Sequence, residues 1–221
     1  AMRLALRQDT QLFDLRLGLQ DIAYQLYPNQ RMDMTGNDST HVNLRWQARF
    51  GWGSLEARVY HEKTRHAMQF GEDKQFGYGT SLSVPGMPMD TEGRNSGARV
   101  QAELTLSERD VVRAGGEWQR YRLNDWWQPS GGGMAPDTFW NINHGRRDRL
   151  DVFAEWDAAW SAQWATQLGL RGGRVAMDTG PVQGYNTTMA QYLQESAAFN
   201  ARDRRRIDHN VDFAAVLRHM P

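Results

Sequence analysis

Apolar and polar residues alternate along much of this chain. In the stretch RLDVFAEWDAAWSAQWATQLGLR, 149–171, Leu150, Val152, Ala154, Trp156, Ala158 and Trp160 fall in one set, and Asp151, Glu155 and Asp157 fall in the other. Side chains alternate across a strand, so this rhythm describes a strand with one apolar and one polar face. Trp156, Trp160 and Trp164 are also spaced by four, which leaves a local helix over 157–166 as the competing reading. The same ripple recurs elsewhere. Phe13, Leu15, Leu17 and Leu19 oppose Asp14, Arg16, Gly18 and Gln20. Val42, Leu44, Trp46, Ala48 and Phe50 oppose Asn43, Arg45, Gln47 and Arg49. Further runs occupy 55–60, 98–106, 112–119 and 211–218. Each run is about ten residues long, the length that a tilted strand needs to cross a bilayer.

The connectors alternate in length. Short ones lie near 7–10, 51–54, 107–110 and 161–164, and long ones over 21–40, 63–95, 123–147 and 177–207. The short ones carry Gly, Ser and Asp, as tight turns require. Short turns on one side and long loops on the other are the habit of outer-membrane barrels. The expected fold is all-β, with about nine antiparallel up-and-down strands over 1–221. Nine is an odd count, and the chain stops at Pro221 where a short turn is due, so the expectation is a consecutive piece of a larger barrel with two open edges.

Composition narrows the function. Lys+Arg and Asp+Glu stand at 26 each in 221 residues, so no net field favours nucleic acid. Cys is absent, which excludes disulfides and thiolate metal sites. No apolar run is long enough for a membrane helix. Nine Trp residues suit an interfacial aromatic belt.

Several phrases carry a family resemblance: PNQRMDMTGN (28–37), GMPMDTEGRNSG (86–97), GGEWQRYRLNDWW (115–127), TFWNINHGRRDR (138–149), PVQGYN (181–186) and AAFNARDRRRIDHN (197–210). Together they resemble the barrel of TonB-dependent outer-membrane receptors, most nearly the copper-receptor branch. That resemblance implies a 22-stranded barrel in the bacterial outer membrane, an N-terminal plug and a TonB box that couple it to the TonB complex, and active metal uptake. It implies lipid and lipopolysaccharide as surroundings, and no resident cofactor. Plug and TonB box are not seen in these residues, and about the first half of the barrel would be represented.

Copper(I), the cargo so implied, is a soft ion that prefers thioether and imidazole ligands. His66 and Met68 form an HxM triplet, whose side chains share a face on an extended backbone. The copper receptors have a similar HxM motif on the barrel, completed by a Cys and a Met on the plug. Met32 and Met34 make one MxM pair and Met87 and Met89 another, each expected in a long outer loop; with Met134 they would collect the ion. His61 is a possible helper. The plainer alternative is that methionines fill apolar gaps. The other histidines, at 41, 144, 209 and 219, read as loop or polar-face residues.

Other readings are weaker. Asp90 with Glu92, and Glu155 with Asp157, share a strand face, but acidic groups line polar lumens anyway, so no enzyme activity is expected. GxGxxG and phosphate-loop patterns are absent. The runs GRRDR (145–149) and RDRRR (202–206) read as solvated loop ends, or as contacts to lipopolysaccharide phosphate. A siderophore or other chelate receptor would use Trp126, Trp127, Trp140 and Arg146. A soluble all-β binding or adhesion domain would instead bury Val42, Leu44, Trp46 and Phe50 between two sheets.

Overall fold

The computed structural model describes residues 1–70, 74, 86–130 and 135–220. It contains one antiparallel sheet in which every strand pairs with its sequence neighbours, in the order β1 to β9. The strands are β1 (Met2–Gln8), β2 (Gln11–Ile22), β3 (Asp33–Phe50), β4 (Gly53–Gln69), β5 (Met89–Thr105), β6 (Asp110–Trp127), β7 (Phe139–Ala159), β8 (Trp164–Asp178) and β9 (Arg206–His219). One helix, α1 (Ala190–Asn200), lies between β8 and β9. The stretch 149–171 is the end of β7, a turn and the start of β8. It forms no helix over 157–166, because Asp157, Ala158 and Ala159 are already paired to Gln167, Thr166 and Ala165.

Turns at 9–10, 51–52, 106–109 and 160–163 close one end of the sheet. Local chemistry fixes them. Ser107 Oγ accepts the amides of Arg109 and Asp110, and Ser161 Oγ accepts those of Gln163 and Trp164. Gly53 starts β4 with φ 146, and a Cβ there would come within 1.9 Å of the Glu103 carbonyl oxygen.

The two faces differ as the alternation requires. On one face run Leu44, Val59, Ala98, Trp118 and Leu150, in register from β3 to β7, and the row beneath holds Trp46, Ala57, Val100 and Val152. Leu150, Val152, Val211 and Phe213 on this face are all more than half exposed. No second sheet covers them among the described residues. The alternative of a two-sheet sandwich finds no second layer among the described residues: each apolar face would have needed one. The apolar stripe runs over 42–50 on β3 and 150–158 on β7, about nine residues in each, and over 98–104 on β5, which matches a tilted bilayer crossing.

The opposite face is laced with charge. Arg113 bridges Glu103 at 2.8 Å, Glu155 at 2.7 Å and Asp157. Arg45 meets Glu56 at 2.6 Å, Arg149 meets Glu117 at 2.9 Å, and Arg171 meets Asp151 at 2.7 Å. Side-chain pairs of this kind, directly opposite for Arg113 with Glu103 and Glu155 and diagonal for the others, hold register and keep the charges satisfied.

The strands are longer than the sequence pattern predicts. At the end away from the tight turns they run on past the apolar stripe, so much of the expected long connectors is strand. Gly145–Arg149 lies inside β7 and is no loop terminus. β1 and β9 are the two edges of the sheet.

Candidate functional site

His66 and Met68 lie near the end of β4 away from the tight turns, on the polar face, the same side as Glu56 and Tyr60. Register decides their neighbours. Met68 stands opposite Met34 of β3 and opposite Met89 of β5. Met89 in turn stands opposite Trp127, and Trp127 opposite Phe139. Paired residues on neighbouring strands place their Cβ atoms about 5 Å apart, so three thioethers form a contiguous row across three strands.

A bulge makes this row. Between Met34 and Gly36 the β3–β4 register shifts, so that Thr35 is skipped. An unbulged β3 would set Thr35 opposite Met68 and turn Met34 to the apolar face. The bulge is held in place by reciprocal backbone bonds of Met34 to Gln25, at 3.0 and 3.1 Å. Asp33, fully buried, accepts from the Tyr27 amide at 2.8 Å and the Tyr24 hydroxyl at 3.2 Å, and it pairs with Lys74. Lys74 also donates to the Tyr27 carbonyl at 2.7 Å. This anchor ties residues 23–32 to the strand end.

The row beneath is polar. His66 stands between Asn37 and Thr91. His66 Nδ1 lies 3.2 Å from Asn37 Oδ1. A carboxamide oxygen accepts, so the neutral tautomer that makes this bond has its proton on Nδ1 and presents Nε2 as a metal donor. Thr91 Oγ1 donates to Asp125 at 2.9 Å, and Asn141 donates to the same carboxylate at 3.1 Å, which removes Asp125 from competition.

Of the sequence candidates, Met34, Met68, Met89 and His66 come together in these two rows. Met34 and Met89 are strand residues, where loop positions were expected. Met32 and Met87 precede their strands and are buried, at 8% and 6% exposure. Met134 falls outside the described residues. His61 does not assist: five positions from His66, it points to the other face and meets Ser96 Oγ at 2.8 Å. Among the described residues, no three of His, Cys, Asp and Glu cluster as metal ligands, so any soft-ion site rests on the thioethers.

The chelate candidates separate. Trp126 and Trp140 pair with ring centroids 5.8 Å apart, and Trp126 and Arg146 belong to the apolar side. Trp127 alone joins the methionine row, and its buried indole N–H has no hydrogen-bond partner among the described residues. Residues of the 179–205 connection also reach this end. Tyr185 lies 4.5 Å from Phe139, ring to ring, and 5.2 Å from Tyr192 of α1. Sequence reasoning missed α1, which has no buried residue and thus no apolar stripe to betray it.

Sequence comparison matches the chain to no family model and to no curated protein. Among solved structures, the fold is similar to that of a chain described as "Copper transporter OprC", with a TM-score of 0.75 at 16% identity. The match covers 96% of this chain and 32% of that one, so the chain spans about a third of the length of that transporter. At this identity the likeness is one of fold, and the chain has the fold of an outer-membrane-type β-barrel segment: nine antiparallel up-and-down strands in a single sheet.

Proposed function

We propose that the chain is part of an outer-membrane transporter for a metal, with copper as the cargo. The observation that carries this reading is the registered row Met34–Met68–Met89 beside His66 on the polar face. The copper transporter whose fold is similar supports the same cargo. In this reading the exposed apolar stripe faces lipid and the charged face lines the lumen. The tight turns are periplasmic and the long connections face outward.

Thioether and imidazole suit a soft monovalent copper ion, which needs no carboxylate. His66 Nε2 and Met68 hold the ion. Met34 and Met89, on either side, widen the sulfur surface, and Met32 and Met87 lie just before these strands and lead to it. Release requires weakening of this set. TonB-driven movement of a plug that supplies the remaining ligands, as in the resembled receptors, would do so. A 22-stranded barrel and TonB dependence belong to the same proposal.

The test is copper(I) affinity of the full-length protein, measured by competition with a chelator. His66→Ala with Met68→Ala abolishes tight binding if the reading holds. Unchanged affinity rejects these ligands. A siderophore reading is less well supported, since Trp126 and Arg146 lie on the side away from the polar face.

A further inference from the structure

The apolar side of the sheet does not stay apolar along its length. Beyond the row Val59, Ala98, Trp118 and Leu150, the next row outward on β4 to β7 is His61, Ser96, Arg120 and Asp148. The row after that is Lys63, Arg94, Arg122 and Arg146. Four cations thus stand directly opposite one another on four consecutive strands. Arg65 lies one row further out, opposite Glu92.

Like charges set opposite across strands are destabilising. The protein relieves the row only in part. Glu92 accepts from Arg94 at 2.5 Å and Arg65 at 3.3 Å, and lies 3.9 Å from Lys63. Asp148 meets Arg122 at 2.7 Å and lies 3.9 Å from Arg120. Asp178 stands opposite Arg146 and Asp38 opposite Arg65, but neither forms an ion pair among the described residues. Arg146 has no hydrogen bond or ion pair among the described residues, although it is flanked by charge. Arg65, Arg94 and Arg120 are each more than half exposed. Cations outnumber carboxylates, and the surplus faces outward.

Position identifies what meets it. The cation row lies four residues beyond the last apolar row. That is about 13 Å along a strand, or roughly 9 Å of depth for a strand tilted near 45°, which is headgroup distance from the hydrocarbon. Guanidinium groups match phosphate oxygens two at a time. We propose that Lys63, Arg94, Arg122 and Arg146 form a docking row for the phosphate groups of an outer-leaflet glycolipid, lipopolysaccharide. The proposal rests on the outer-membrane reading, and it assigns the GRRDR run differently from a solvated loop. Only Arg146 and Asp148 of that run face lipid, while Arg149 turns to the polar face and holds Glu117.

The experiment uses the full-length protein in detergent and a fluorescent rough lipopolysaccharide, with the same glycolipid stripped of phosphate and inorganic phosphate as comparisons. The unaltered protein binds the phosphorylated glycolipid, and binding weakens with salt. Arg94→Gln with Arg122→Gln and Arg146→Gln lowers affinity roughly tenfold or more. The corresponding triple change to Lys keeps the charge and retains more binding than the Gln variant, which guards against a folding artefact. Equal affinity of the Gln variant and the unaltered protein overturns the row. Equal binding of the stripped glycolipid, or inorganic phosphate binding as tightly as the glycolipid, overturns it too. Insertion into lipid vesicles, read by protease protection, reports separately on the membrane reading. Insertion with equal affinities defeats the row alone, and failure to insert defeats both.

Discussion

Met34 reaches the side of Met68 only because β3 bulges at Thr35. A single skipped residue moves Met34 from one face of the sheet to the other and completes a row of three thioethers with Met89. Bulges re-aim side chains in this way, often beside functional sites.

Replacing Met89 by Leu keeps the volume and removes the sulfur. Copper(I) affinity of the full-length protein should fall roughly tenfold, with thermal stability little changed, since Leu and Met are volume-conserving partners. Deleting Thr35 removes the extra residue of the bulge and leaves Met34 opposite Met68, so the affinity should stay unchanged. Competition titration and a melting curve read both.

The two nearby histidines should behave differently. His66→Ala should weaken copper(I) binding strongly, and His61→Ala should leave it unchanged, because His61 belongs to the opposite face with Ser96. Asn37→Leu removes the group that orients His66 and should cost about 10- to 100-fold in affinity, the usual range for the loss of an outer-shell partner.

How much of this was legible differs between the two halves of each strand. Within the stripe, Leu44 or Val100 announces a strand because its neighbours in sequence, Asn43 and Arg45 or Arg99 and Gln101, are polar. Beyond the stripe both faces are polar, so Arg146 to Arg149 show no alternation of hydropathy, and only pairing with β6 and β8 reveals them as strand. The HxM triplet was readable because His66 and Met68 sit on one strand. The row through Met34 and Met89 was not, since it depends on cross-strand register and on the bulge. The opposite aim of His61 and His66 was in principle readable, from parity alone.

Asp137 ties two of the long connections together. Its Oδ2 accepts the Thr187 amide and hydroxyl, both at 2.8 Å. The Thr187 amide, then its hydroxyl, hold the Asp137 carboxyl below its ordinary value. A carboxyl depressed on folding stabilises above its unfolded value of about 3.9, and that contribution is lost as pH falls through the folded value. Protease sensitivity at 179–189 should therefore stay flat from neutral pH to about 5 and rise below about 4. Asp137→Asn should raise it already at neutral pH.

Gly53→Val should be among the most damaging single changes. The backbone there has φ 146, and a Cβ would press on the Glu103 carbonyl. A loss of about 2–4 kcal/mol is expected, read by urea unfolding in lipid or detergent. Arg113→Met should cost about 1–3 kcal/mol, because Glu103, Glu155 and Asp157 lose their shared cation.

The most direct test of the proposed cargo site is X-ray absorption of the copper(I)-loaded full-length protein. The account predicts a shell of thioether sulfur with one imidazole, which loses the imidazole in His66→Ala and sulfur in Met68→Ala. A shell without sulfur, or one unchanged in both variants, would contradict it.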